Sequence, residues 1–154
     1  MKKWGFLFFP ILALGVGALA GVLSRKGLET VYPLLQKSPL TPPGAVFPVV
    51  WTVLYLLMGI GLALVVDKGG ANVSQAVVLW VLQLALNFSW SLLFFAGGYY
   101  LASLFCLAIL WVAILAMIAA FAVVSRPAAW LQIPYLLWVT FAGYLNWAVW
   151  TLNR

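Results

Sequence analysis

The chain predicts an all-α integral membrane protein, a five-transmembrane-helix bundle, and three observations carry that expectation. Of its 154 residues, 67% are hydrophobic and only 6% charged, against about half and about a quarter in soluble domains. The apolar residues gather into five runs, at about residues 4–23, 45–66, 74–96, 99–124 and 128–151, each near the roughly 20 residues that cross a hydrocarbon core as a helix. Finally, no ionisable side chain falls inside a run. Lys2, Lys3, Arg25, Lys26, Lys37, Lys68, Arg126 and Arg154 sit between or outside them, as do Glu29 and Asp67, where they serve as headgroup anchors.

The first run, 4–23, follows Lys2-Lys3 and ends near Ala18-Leu19-Ala20. That pattern imitates a secretory signal. Gly15, Gly17 and Gly21 nevertheless form a small-residue face with a GxxxG spacing, which suits close helix packing, so the run is read as a retained helix. The long break that follows, residues 24–44, is the only extended connection and is expected to act as a lid. It ends in Thr41-Pro42-Pro43-Gly44. Prolines fix φ and need no donor in a first helical turn, so this is a stiff entry into the second run.

In the second run, Phe47, Trp51 and Tyr55 recur every four residues and share a helix face, with Pro48 in the first turn. In the third, Gln83, Asn87 and Ser91 form a polar stripe at the same spacing beside Trp90. The fourth run carries the single cysteine, Cys106, and no polar stripe. The fifth repeats the four-residue spacing in Pro134, Trp138, Ala142 and Asn146, and Pro134, about a turn inside, is expected to kink it. Amides in hydrocarbon must be paired, so Gln83, Asn87 and Asn146 should point inward. Trp4, Trp130, Trp147 and Trp150 read as interfacial or packing residues. Trp51 and Trp138 lie deeper, beside small or polar neighbours, as in a pocket for a flat apolar ligand.

Short connections after the first predict antiparallel neighbours in a single domain spanning 1–154. The positive-inside rule returns a tie: Lys2, Lys3, Lys68 and Arg126 on one side, Arg25, Lys26, Lys37 and Arg154 on the other. The cations are not clustered for nucleic acid. With no histidine and no buried acid, ordinary acid–base or metal catalysis has almost no candidates, and an ion-coupled pump has nothing to work with.

The stretches KSPLTPPGAVFPVVWTVLYLLMG, QLALNFSWSLLFF and IPYLLWVTFAGYLNWAVWTLN together resemble the translocator protein family. It is also called TspO/MBR, the tryptophan-rich sensory proteins or the peripheral benzodiazepine receptors. The likeness implies a membrane receptor or sensor that binds porphyrins such as protoporphyrin IX or haem, and benzodiazepine-type drugs, with no obligatory cofactor and no metal. It implies a homodimer in lipid, here in a bacterial cytoplasmic membrane. By motif position the ligand-binding residues are Tyr32 and Pro42 on the lid, Trp51 and Tyr55, then Asn87, Trp90 and Ser91, then Trp138 and Ala142. Phe47 joins them on the face of Trp51. Two alternatives follow from the same likeness: a light-dependent porphyrin-degrading enzyme, with Trp51 and Trp138 as its candidate catalytic residues, and a transporter of tetrapyrroles. Leu40 stands where the family usually has tryptophan, which bears on the lid. Trp147 replaces the tyrosine of the sterol motif, which counts against sterol binding.

Overall fold

The long apolar runs become five long helices, and the computed structural model describes residues 3–154. Lys2, one of the expected N-terminal anchors, lies outside the described residues. Helix α1 spans Gly5–Thr30, and a single tight turn, Tyr32–Leu34, follows it. Next come α2 (Val46–Lys68), α3 (Val73–Ser91, prolonged by a π-helical turn at Leu92–Ala96), α4 (Tyr100–Val124), the short α5 (Arg126–Trp130) and α6 (Ile133–Leu152). No strand occurs among the described residues. Helices α1, α2, α3 with its π turn, and α4 are long and apolar enough to cross a membrane. The 20 residues of α6 are richer in tryptophan and tyrosine.

Two expectations are corrected. The lid is not 24–44, because α1 runs on to Thr30 and leaves only residues 31–45 as the loop. Leaving hydrocarbon does not end a helix. Arg25 and Glu29 pair one turn apart at 3.0 Å, and Thr30 Oγ1 donates to the Lys26 carbonyl at 2.6 Å, so the polar turns support themselves. Pro134 does not kink the fifth run. The run breaks at Leu131-Gln132, and Pro134 stands in the first turn of a new helix, where a missing N–H forfeits no helical bond. Ser125 starts α5 by accepting from the Ala128 amide at 3.4 Å.

Close packing fills the half of the bundle away from the lid. Met58, Leu62 and Val65 of α2 meet Trp80 of α3, Ile114, Met117 and Phe121 of α4 and Tyr135 of α6, all almost wholly buried. Helix α1 crosses α2 where Gly59 meets Pro10, and a Cβ at Gly59 would overlap the Pro10 backbone. Trp80 Nε1 donates to the Met58 carbonyl at 3.0 Å, tying α3 to the same crossing. The outer faces expose Leu7, Val22, Phe105, Ile109, Val112 and Leu137. In lipid these side chains are solvated by hydrocarbon and need no protein cover.

Candidate functional site: an aromatic cavity under the loop

Toward the lid end the helices part around a cavity of about 770 Å³, within the usual size of small-molecule sites, about 300–1,000 Å³. Phe47, Trp51 and Tyr55 of α2 line it, as do Asn87, Trp90 and Ser91 of α3, and Trp138 and Ala142 of α6. Tyr32 closes it from the loop. Of the residues expected to bind a ligand, only Pro42 is not among those lining it; Pro33 and Gly44 hold the loop side with Tyr32 instead. The rigid TPPG entry therefore ends at the cavity mouth, with the Val46 amide donating to the Pro43 carbonyl at 3.0 Å as α2 begins.

The fourth wall was not foreseen. Leu14, Gly17, Ala18, Gly21, Ser24 and Leu28 of α1 line the cavity. Their small-residue signal is present in the sequence, where the spacing predicts a helix-packing face; in the structure it is one only in part. At Gly17 a Cβ would strike the ring of Tyr55, whereas at Gly21 and Gly15 it would meet nothing within 4 Å. Helix α1 thus packs at one glycine and leaves room at the next turn.

The aromatic rings are held by one another and by buried amides. Trp51 lies between Tyr55 (ring centroids 5.6 Å), Trp90 (6.1 Å) and Tyr135 (6.3 Å). Trp138 meets Phe47 edge-on at 5.8 Å, and its buried Nε1 has no hydrogen-bond partner. Trp90 Nε1 donates to Asn146 Oδ1 at 3.0 Å. That amide in turn accepts from Ser103 Oγ at 3.0 Å and donates to the Tyr100 carbonyl at 2.9 Å. Asn146 is therefore a brace behind Trp90. Gln83, Asn87 and Asn146 are all buried, as the cost of unpaired amides in hydrocarbon requires.

The loop is fastened down. Asn153, just past α6, donates to the Gln36 carbonyl at 2.8 Å and accepts from the Gln36 amide at 2.9 Å. Ser38 and Tyr144 share a 2.7 Å hydrogen bond. Tyr32 packs edge-on against Phe95 at 5.5 Å, and burial pushes its phenol above the usual range. Lys37 Nζ donates to the Tyr32 and Leu35 carbonyls at 2.9 and 3.1 Å and lies 4.7 Å from the Tyr32 ring centre.

No charged side chain lines the cavity, and among the described residues no cluster of histidine, cysteine or acid could hold a metal. Its chemistry is that of flat apolar surfaces with a few neutral polar groups: the Asn87 amide, the Tyr55 hydroxyl, and the Ser24 and Ser91 hydroxyls 3.5 Å apart. Such a lining suits the stacking of a flat ligand. Its lining holds no histidine, cysteine, lysine or acid.

Comparison with known proteins agrees in kind. Residues 8–151 match the TspO/MBR family. A tryptophan-rich protein TspO from Chlorobaculum tepidum is 42% identical over 92% of this chain and 91% of its own. A translocator protein from Bos taurus is 36% identical over 97% of this chain and 89% of its own. A tryptophan-rich sensory protein from Cereibacter sphaeroides is 32% identical over 97% and 92%.

Proposed function

The chain belongs to the TspO/MBR family, and from that membership we propose that it is a membrane receptor binding a flat tetrapyrrole, protoporphyrin IX or haem, in the cavity beneath the loop. One observation carries the reading: Trp51 of α2 and Trp138 of α6 line a single uncharged space, on adjoining aromatic faces joined where Phe47 meets Trp138 and Trp51 meets Tyr135. A macrocycle in that space would meet both indoles, while its carboxylates would reach toward the lid end. There Arg25 is engaged by Glu29, and Lys37, held by loop carbonyls and lying 4.7 Å from the centre of the Tyr32 ring that lines the cavity, is the counter-charge at hand. Benzodiazepine-type ligands would occupy the same space. A homodimer in a bacterial cytoplasmic membrane is part of the proposal; the apolar helices support the membrane and the bacterial relatives its bacterial setting.

The test is a titration of the solubilised protein with protoporphyrin IX in the dark, followed by tryptophan quenching and repeated with Trp138→Phe. Saturable quenching that weakens in the variant supports the reading. Binding of equal strength in both would put the ligand elsewhere. A second reading, light-driven porphyrin breakdown, draws on the same two indoles, since both would touch an excited macrocycle. It predicts products under illumination that differ from those of free porphyrin and are lost in Trp138→Phe.

A further inference from the structure

Four polar side chains run in a line from the cavity wall into the packed half of the bundle. Tyr55 Oη donates to Asn87 Oδ1 at 3.3 Å, Asn87 Nδ2 donates to Tyr135 Oη at 2.8 Å, and Tyr135 Oη donates to Gln83 Oε1 at 2.7 Å. Tyr55 and Asn87 line the cavity. Tyr135 and Gln83 do not, and both are 0% exposed.

A phenol carries one proton, so Tyr135 can bond both amides only by giving to one and taking from the other. The line therefore has a direction, and it reverses only if both amides turn together. Its far end selects the direction. Gln83 Nε2 lies 3.8 Å from Met58 Sδ, a weak acceptor. Turning that amide would set its carbonyl against the sulfur and give up the N–H contact. With Gln83 so held, the Tyr135 proton points to Gln83, the Asn87 NH₂ points to Tyr135, and the Asn87 carbonyl is left for the cavity. Its bond from Tyr55 is long at 3.3 Å, and a carbonyl oxygen has two lone pairs. It has capacity for a donor from a ligand.

We propose that Gln83 is a specificity-determining residue acting through Tyr135: it fixes the Asn87 carbonyl toward the cavity, which then favours flat aromatic ligands bearing a ring N–H over ligands of the same shape that lack one or carry a ring acceptor. This rests on the reading of the cavity as a site for flat aromatic ligands, and it adds the hydrogen-bond polarity. Gln83 would be a positioning residue, since it touches no ligand.

The experiment uses three flat tricycles: carbazole, with a ring N–H; dibenzofuran, lacking it; and acridine, with a ring acceptor. Affinities for the native protein, Gln83→Leu and Tyr135→Phe in lipid nanodiscs would be measured by calorimetry against empty nanodiscs, with protoporphyrin IX titrated in parallel. One hydrogen bond predicts that the native protein binds carbazole about three- to tenfold more tightly than dibenzofuran, with acridine no better than dibenzofuran. In Gln83→Leu the Tyr135 proton turns to Asn87, the amide presents its NH₂, and acridine overtakes carbazole. In Tyr135→Phe the Asn87 amide loses its anchor and the preference shrinks toward unity.

Three results overturn the proposal. They are no carbazole preference or no saturable tricycle binding in the native protein, an undiminished carbazole preference in Gln83→Leu, and an equal loss for all three ligands, which would mark packing alone. Should Gln83→Leu fail to fold by circular dichroism, Tyr135→Phe decides: a preference that survives it overturns the proposal equally. Absence of protoporphyrin binding by the native protein would be the separate failure of the receptor reading.

Discussion

Gly17 and Gly21 are one helical turn apart on α1, and both line the cavity, yet substitution should have opposite consequences. In a helix, glycine-to-alanine contributes roughly 0.5–1 kcal/mol of stability. At Gly21 nothing lies within 4 Å of an added Cβ, so Gly21→Ala should keep that gain. At Gly17 the Cβ overlaps the Tyr55 ring. Tyr55 must move, which costs about 1–3 kcal/mol as overpacking, and its 3.3 Å bond to Asn87 is lost for about 0.5–1.5 kcal/mol more. Set against the propensity gain, Gly17→Ala should be destabilised by roughly 0.5–4 kcal/mol. Enlarging the open position separates cavity from packing. Gly21→Leu should fold with unchanged or raised stability while its side chain enters the ligand space, weakening protoporphyrin binding at least about tenfold, the equivalent of about 1.4 kcal/mol. Thermal unfolding of the solubilised protein and dark porphyrin quenching measure the two effects independently. Native stability in Gly17→Ala together with native affinity in Gly21→Leu would refute the assignment of α1 as the cavity's wall.

Two further outcomes are expected. Asn153→Ala removes both bonds that hold the Gln36 peptide and loosens the loop over the cavity. At about 0.5–1.5 kcal/mol per bond, or about 1–3 kcal/mol for the two, porphyrin release should accelerate roughly fivefold to a hundredfold, and an unchanged dissociation rate in stopped-flow dilution would mean that the loop does not gate exit. Asn146→Leu strands the Trp90 Nε1 donor away from water, while Ser103 keeps the Tyr100 carbonyl as its acceptor, and should destabilise by about 1–3 kcal/mol, read as a lowered unfolding midpoint; near-native stability would show that the brace behind Trp90 is dispensable.

Much of the site was legible because it is written in four-residue periodicity. Phe47, Trp51 and Tyr55 share a face, as do Gln83, Asn87 and Ser91, and hydrocarbon forces amides inward whatever they contact. Pro42 was carried over by motif, and Pro33 and Gly44 line the loop side in its place. An irregular connection has no periodicity from which the inward residues can be told. The lid was drawn too long for a related reason: hydropathy marks where hydrocarbon ends, and the helix outlasts it through Arg25, Glu29 and Thr30.

By itself the sequence determined the membrane class, the number of long helices, the inward amides and the family, since each depends on composition or on local spacing. The tertiary structure alone decided that the small face of α1 is half contact and half cavity wall, because one glycine tells nothing of what stands opposite it. It also decided the break before Pro134 and the line from Asn87 through Tyr135 to Gln83. A hydrogen-bond direction belongs to groups on several helices at once, and residues 52 positions apart in sequence carry no local mark of meeting.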